Sequence, residues 1–207
     1  MAITNFWERL FPIKHDFYKM IGNQAEASSN VVGHLYRWLS DRSDANFQLL
    51  LREAEAADRY RFAMEDNLIE AFVTPFDRQD IYSLSVEMGR VVEYTKSTLT
   101  EMEAFNVGTD PIILDMLRQL MEGTDQLVEA IELLKGNPRM SKIQIGHIRR
   151  AQLTIEAQYR AGMVDLFNNP DLMHALKYRE VYHHIKDAAI HLGYTTDVLH
   201  KIVVRVV

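Results

Sequence analysis

The sequence has no cysteine, and its 207 residues include only 9 glycines and 5 prolines. The absence of cysteine excludes disulfides and thiolate metal sites. The scarcity of glycine and proline argues against long irregular loops. Basic residues are also in the minority, because 23 lysines and arginines face 29 acidic residues, for a formal net charge of −6. Since nucleic-acid binding needs a clustered basic surface, we predict no nucleic-acid partner.

Long apolar runs are missing as well. No stretch approaches the roughly 20 apolar residues that a membrane span needs. The opening stretch, MAITNFWERLFPIK, lacks the long apolar core and the small-residue cleavage site of a secretory signal. A chain without cysteine also suits the cytosol. We therefore predict a soluble protein.

Apolar residues instead recur at alternating spacings of three and four along nearly the whole chain, a pattern typical of amphipathic helices. The last segment shows the pattern best. Its stripe consists of Val181, Ile185, Ala188, Leu192, Thr195, Leu199, Ile202 and Val206. A stripe of this length predicts one long helix with a single buried face.

Four of the prolines mark breaks in the pattern, and each follows a residue that can cap a helix. The pairs are Thr74-Pro75, Asp110-Pro111, Asn137-Pro138 and Asn169-Pro170. A capping side chain before proline favours a helix start, because proline has no N–H to leave unpaired. Gly136 suits a left-handed helix end, and a polar turn lies at 40–44. These breaks predict six helices, at about 12–40, 44–73, 75–105, 110–135, 138–168 and 170–206.

The third and sixth predicted helices resemble each other in sequence. A shift of 100 positions matches Asp80 with Glu180 and Tyr94 with Tyr194, and it also aligns threonines and further tyrosines. Matched polar residues carry more weight than matched apolar ones, since any two amphipathic helices share an apolar repeat. We interpret the chain as a single helical domain of two three-helix repeats, at about 12–105 and 110–207.

Three stretches of the sequence resemble the PhoU-like family, in its divergent branch found beside Pit-type phosphate transporters. AFVTPFDRQDIYSLS at 71–85 is similar to that branch's Thr-Pro-x-Asp-Arg-x-Asp-Ile signature between the second and third helices. YRAGMVDLF at 159–167 is similar to the end of the fifth helix. LKYREVYHHIKDAA at 176–189 and HKIVVRVV at 200–207 are similar to the last helix.

The resemblance implies an all-α fold of six long antiparallel helices, arranged as a pair of three-helix bundles. It also implies a cytoplasmic, non-enzymatic protein that serves phosphate uptake or its regulation. The expected partner is a Pit-type phosphate transporter or another regulatory protein, and contact with the membrane would come only through that partner. Since relatives often form oligomers, we expect a homo-oligomer as well.

Members of this family commonly bind metal clusters through acidic motifs of the Glu/Asp-x-x-x-Asp type. Carboxylates four residues apart share a helix face and suit hard or borderline cations. In the second helix of this chain, Asp58 remains, but Ala54 stands four residues before it. In the third helix the expected acidic pair is Gly89-Arg90, which leaves Glu93.

The fifth helix offers Gln152 and Glu156, and the sixth offers Lys186 and Ile190. Asp58, Glu93 and Glu156 are therefore the metal candidates, in positions where most of the acidic motif has been replaced. The alternative is that each carboxylate forms an ion pair with a neighbouring helix, and Arg90 and Arg150 are the candidate partners. We predict that the multinuclear sites are lost or reduced to single sites, so that a weakly held divalent metal is the only cofactor to expect. No catalytic residue is assigned.

The signature stretch has a structural interpretation. Thr74 is predicted to cap the third helix and Pro75 to be its first residue. Asp77 and Asp80 then place negative charge near the positive end of that helix. Arg78 is expected to pair with an acid on an adjacent helix. This interpretation leaves no polar residue of the stretch for catalysis.

His184 and His191 are seven residues apart, so they share a helix face and could bind a transition metal. A compact His-Glu-x-x-His motif is absent, and no carboxylate in the sequence completes an obvious shell. We therefore expect these histidines to face solvent or to be hydrogen-bonded. Two alternatives to a phosphate-transport role remain open at this point: a metal-binding helical protein with degenerate acidic sites, and a self-assembling structural bundle.

Overall fold

The computed structural model describes residues 15–207, which form six α-helices and no β-strand. In chain order they are α1 (Phe17–Asp41), α2 (Asp44–Glu70), α3 (Arg78–Ala104), α4 (Pro111–Gly136), α5 (Pro138–Phe167) and α6 (Leu172–Val206). The predicted all-α class is confirmed. The predicted start of the first helix at residue 12 lies outside the described residues. Among residues 15–207, no helix is both long enough and apolar enough to span a bilayer.

Each half of this region forms a three-helix bundle. In the first bundle α1, α2 and α3 contact one another, and in the second α4, α5 and α6 do the same. The bundles meet where α1 packs on α4 and where α3 packs on α6. This is the predicted pair of three-helix bundles. In a tandem repeat, α1 would correspond to α4 and α3 to α6, so each contact joins corresponding helices. The repeat itself stays a prediction.

The apolar stripes of the helices form one continuous core. Its largest fully buried side chains include Trp38, Phe17, Ile21, Leu35, Met64 and Met88. The predicted stripe of α6 is buried from Val181 to Ile202, but Val206, the last residue of the helix, is 43% exposed. The helix least covered is α2, which buries only five of its 27 residues.

A buried polar contact joins α1 to α3 inside the first bundle. Gln24 is fully buried, and its amide nitrogen donates to the backbone oxygen of Ser85 at 2.7 Å. The Ser85 hydroxyl donates back to the amide oxygen of Gln24 at 2.7 Å. Because both side chains are hydrogen-bonded, their burial avoids the cost of unpaired polar groups in the core.

Three of the predicted helix starts agree with the structure at the first helical residue, namely Asp44, Pro111 and Pro138. Asp110 caps α4, since its carboxylate accepts the backbone N–H of Ile113 at 2.7 Å, and the helix begins at the following proline. The α5 helix also begins at the predicted proline, but the side chain of Asn137 accepts no capping hydrogen bond. Gly136 is the last residue of α4 rather than a left-handed cap, because no glycine in residues 15–207 has a positive φ.

The predicted start of α6 is wrong by two residues. Asn169 was expected to cap the helix, but its side chain instead accepts the backbone N–H of Asp171 at 2.9 Å. Asp171 is the cap, and it accepts the N–H of His174 at 3.0 Å. Because the Asn169 side chain is engaged in a local turn, the helix starts after Pro170. Asn169 and Asp171 thus compete to cap the helix, and Asp171 is the cap.

Candidate functional site

A groove with a volume of about 310 Å³ lies between α2 and α3, and five charged side chains line it. They are Asp58, Arg61, Arg90, Glu93 and Lys96, so three cations face two acids. The structure therefore brings together two of the three predicted metal candidates, Asp58 and Glu93. It also places beside them three cations, of which the sequence analysis had singled out only Arg90.

Small residues on the facing helices make room for this groove. Ala54 lies on the α2 side and Gly89 on the α3 side. The Arg61 side chain passes over Gly89 so closely that a Cβ atom there would lie 2.9 Å from the Arg61 Cδ. Since that distance is below van der Waals contact, a larger residue at position 89 would displace the Arg61 side chain.

Both acidic candidates in the groove pair with arginines of their own helix. The Asp58 carboxylate lies 3.9 Å from the Arg61 Nε, and Glu93 accepts a hydrogen bond from the Arg90 guanidinium at 2.6 Å. This hydrogen bond raises the pKa of Arg90. The expectation of partners on a neighbouring helix is wrong for both, because a spacing of three residues already places acid and arginine on one face.

The groove does not fit a multinuclear metal cluster. Such a cluster needs several converging carboxylates, whereas this groove offers Asp58 and Glu93 among three cations. Within residues 15–207, no group of three or more histidines, aspartates or glutamates is placed to hold a metal ion. The loss of the metal sites stays a prediction, and it is tested by metal analysis.

The third metal candidate, Glu156, lies apart from the other two, in the second bundle. Its carboxylate accepts a hydrogen bond from the Gln152 amide at 3.0 Å and lies 3.7 Å from the Arg160 guanidinium. All three residues belong to α5. Here too the predicted partner on another helix is replaced by neighbours one turn away, and Arg150 does not take part.

The interface between α3 and α6 holds two histidine–carboxylate pairs that the sequence analysis missed. His191 lies 2.6 Å from the Glu87 carboxylate, and His184 lies 2.8 Å from that of Glu101. The ring of Tyr94 stacks on His191, with the ring centroids 5.3 Å apart. The expectation of a hydrogen-bonded histidine is confirmed for His191, but its carboxylate partner was not predicted. The sequence did contain one signal of these pairs. Glu87, Tyr94 and Glu101 recur every seven residues, and His184 and His191 are also seven residues apart.

The signature stretch begins α3 later than predicted. Asp77 is the cap, since its carboxylate accepts the backbone N–H two residues further on at 2.8 Å. The Thr74 hydroxyl instead donates to the backbone oxygen of Phe76 at 2.7 Å, and Pro75 lies in the turn before the helix. The predicted roles of Thr74 and Pro75 are wrong, because the hydroxyl is engaged in its own turn and a better cap follows three residues later.

Arg78 closes the end of α2 rather than pairing with an acid. Its guanidinium donates to the backbone oxygens of Leu68 at 2.9 Å, of Phe72 at 3.3 Å and of Ala71. The last carbonyls of a helix have no partner within it, and a guanidinium carries enough N–H groups to satisfy several at once. Arg78 therefore fixes the angle at which α2 turns into α3.

Asp80 joins the start of α3 to the end of α6. It lies in the first turn of α3, as predicted, but its side chain is only 3% exposed. Its carboxylate accepts hydrogen bonds from Lys201 at 2.5 Å and from Arg205 at 2.6 Å. A buried carboxylate is tolerated when it is paired in this way. Asp80 thus links the two bundles, which its position near the helix terminus did not reveal.

Large apolar side chains are exposed where each bundle turns from its second to its third helix. At the α2–α3 turn Ile69, Phe72 and Val73 are 81%, 80% and 75% exposed. At the α5–α6 turn Phe167 and Leu172 are 73% and 70% exposed. Clusters of exposed apolar side chains are typical of surfaces that contact other molecules.

Comparison with known proteins relates the chain to a curated protein and to a solved structure. No protein-family model matches the chain. The UPF0111 protein YkaA of Bacillus subtilis (strain 168) is 27% identical over 144 residues, which make up 67% of this chain and 70% of that protein. The crystal structure of a PhoU-like protein from Shewanella oneidensis MR-1 matches with a TM-score of 0.76 at 11% identity, over 92% of this chain and 100% of that one.

The structural match covers both bundles, and at this level of identity it shows the fold. The match to the UPF0111 protein shows a sequence relationship over two thirds of the chain. These findings confirm the fold that the resemblance implied: the chain has the fold of a PhoU-like protein. The branch indicated by the signature at 71–85 stays a prediction.

Proposed function

We propose that this chain is a non-enzymatic accessory or regulatory protein of inorganic phosphate transport, which acts by contacting other proteins. The observation that carries the proposal is the PhoU-like architecture, which extends over 92% of the chain. The signature stretch at 71–85 adds to it, since that stretch resembles the branch found beside Pit-type transporters. A fold alone does not determine function, so the proposal needs a direct test.

The roles of the signature residues support a binding role over catalysis. Asp77 caps a helix, Arg78 satisfies the last carbonyls of α2, and Asp80 is held by two cations. Each of these three polar groups is therefore engaged in a structural contact, and Asp80 also links the two bundles. A rigid helical scaffold of this kind presents surfaces to a partner.

The partner we propose is a Pit-type phosphate transporter, contacted at its cytoplasmic face, or another regulatory protein of the same system. This places the chain in the cytoplasm, at the membrane only through its partner. A homo-oligomer is part of the same proposal. The exposed apolar side chains at the α2–α3 turn, beside the signature, are suited to such a contact.

Capture from native membranes tests this proposal. Immobilised full-length chain is incubated with detergent-solubilised membranes, and the bound proteins are identified by mass spectrometry. We expect a phosphate transporter to be enriched. The substitution Phe72→Ser should reduce the enrichment, whereas Phe167→Ser removes an equally exposed phenylalanine at the other turn and serves as the matched control.

The result that counts against the proposal is capture in which no transporter is enriched by the wild-type chain. Light scattering gives the oligomeric state in the same preparation. A mass that is a small multiple of 24.0 kDa supports the proposed homo-oligomer. A much larger mass without any captured partner would favour the alternative of a self-assembling structural bundle.

A further inference from the structure

We propose that the groove between α2 and α3 is an oxyanion site, in which Arg61, Arg90 and Lys96 bind inorganic phosphate. The inference goes beyond the proposed function, because it assigns a ligand to a site. The binding of an oxyanion follows from the side chains in the groove. Only the choice of phosphate among tetrahedral oxyanions rests on the proposed function.

The three cations have donors to spare. Each guanidinium has five N–H groups and an ammonium has three. Arg61 gives one hydrogen bond, to Glu65 at 3.3 Å, and Arg90 gives one, to Glu93. Lys96 is exposed and forms no ion pair with residues 15–207. Most of the N–H groups that line the groove are therefore free for a ligand with several acceptor oxygens.

The groove is partly pre-organised for such a ligand. The Arg61 side chain is only 28% exposed, lies against α3 at Gly89, and donates a hydrogen bond to Glu65. Holding the guanidinium in place lowers the entropy that binding costs. The volume of about 310 Å³ exceeds what a small oxyanion fills, so water would share the space.

The two carboxylates in the groove repel an anion. Their effect on binding therefore distinguishes an anion site from a metal site. The side chains of Asp58 and Glu93 are 53% and 59% exposed, so solvent screens much of their charge. A phosphate would compete with Glu93 for the Arg90 guanidinium. Removing the charge of Glu93 should therefore strengthen the binding of an anion, whereas it would weaken the binding of a metal cation.

Isothermal titration calorimetry of the full chain tests the site. The protein is treated with chelator, dialysed into a low-salt buffer without phosphate, and titrated with sodium phosphate. We expect saturable binding that weakens as salt is added. Arg90→Gln and Lys96→Gln should each weaken the binding about tenfold, the loss of one charge-assisted contact. Glu93→Gln should tighten it.

Matched controls come from exposed cations of α5. Arg139→Gln and Lys142→Gln remove the same groups outside the groove, and they should leave the affinity unchanged. Thermal melting monitored by circular dichroism verifies that every variant is folded. Arg61 is more deeply packed, so its variant is informative only when its melting temperature matches that of the wild type.

The proposal would be overturned by the absence of saturable binding by the wild-type chain, or by Arg90 and Lys96 variants that retain the wild-type affinity. Weaker phosphate binding by Glu93→Gln would also overturn it, since it would indicate a bridging cation. Sulfate titrated in the same way separates the two parts of the inference. Equal affinity for sulfate would support an oxyanion site and overturn the choice of phosphate as its ligand. The capture of a transporter from membranes does not depend on the outcome of these titrations.

Discussion

The two bundles share one architecture but pack their middle helix differently. In the first bundle α2 buries five of 27 residues, and in the second α5 buries eight of 30. The buried Gly162 of α5 is so close to α6 that a Cβ atom there would lie 2.7 Å from the Tyr182 ring. In the first bundle, a Cβ atom added to Gly89 of α3 would contact only the side chain of Arg61.

This difference determines what each bundle offers to a ligand. Where α5 and α6 pack closely, apolar and aromatic groups fill the space between helices. Burial and then a hydrogen bond to Asp110 raise the pKa of Tyr182 well above its usual range, so its hydroxyl stays a donor. Where α2 lies looser on α3, a charged groove remains. The same fold thus combines a close contact between the second and third helices of the second bundle with an open, cation-lined groove between the corresponding helices of the first.

The largest expected effect comes from Asp80, compared with its repeat partner Glu180. Asp80→Ala removes a buried carboxylate that binds Lys201 and Arg205, whereas Glu180 is half-exposed and meets only its neighbour Arg179. We expect Asp80→Ala to lower the free energy of unfolding by about 2–4 kcal/mol. Glu180→Ala should change it by about 0.5 kcal/mol or less. Urea denaturation of both variants measures this, and equal losses would contradict the assigned link between the bundles.

Close packing of the second bundle is tested at Gly162. Gly162→Ala places a methyl group against Tyr182 and Ile112, and overpacking of this kind costs about 1–3 kcal/mol. Gly146 lies on the same helix with nothing within 4 Å of the added Cβ. Gly146→Ala should therefore be neutral or stabilising by about 0.5–1 kcal/mol. Thermal unfolding followed by circular dichroism distinguishes the two, and a stabilised Gly162→Ala variant would count against the packing described.

A smaller change in stability is expected at the corrected start of α3. Asp77→Ala removes the cap and should lower the free energy of unfolding by about 1 kcal/mol. Thr74→Ala removes only a hydroxyl of the preceding turn, and it should cost about 0.5 kcal/mol or less. A larger loss for Thr74→Ala than for Asp77→Ala, measured by urea denaturation, would restore the cap that the Thr-Pro pair predicted.

The smallest effect is expected at Gly89, the glycine of the open groove. Gly89→Ala pushes the Arg61 side chain aside, but that side chain is flexible and partly solvated. The gain in helix propensity offsets this displacement, so we expect a net change within about 1 kcal/mol. Chemical denaturation of Gly89→Ala and Gly162→Ala under the same conditions compares the packing of the two bundles. A loss at Gly89 as large as at Gly162 would mean that α2 packs as tightly as α5.

The sequence was sufficient for most of the fold. Apolar spacing predicted every helix within residues 15–207, because the bundle buries whole faces of long helices. Its errors lie at helix ends where two capping residues are close together. Thr74 competes with Asp77, and Asn169 competes with Asp171. Local pattern cannot decide such cases, since the outcome depends on which turn the neighbouring residues form.

The charged groups were harder to predict. The pair formed by Arg90 and Glu93 could have been derived from their spacing alone. The pairs of Asp80 with Lys201 and of Glu87 with His191 join residues more than a hundred positions apart. Only the packing of α3 on α6 brings them together, and no local pattern contains that information. The seven-residue spacing of Glu87, Tyr94 and Glu101 was the sole hint.

The metal content of the chain tests the central claim most directly, namely that the groove between α2 and α3 is lined by cations and does not hold a metal centre. The full chain is purified without chelator, dialysed extensively and measured by inductively coupled plasma mass spectrometry. With Arg61, Arg90 and Lys96 lining the groove, we predict iron, zinc and manganese well below one ion per chain. Stoichiometric metal that persists through dialysis, and that is lost when Asp58 or Glu93 is replaced by alanine, would contradict the account.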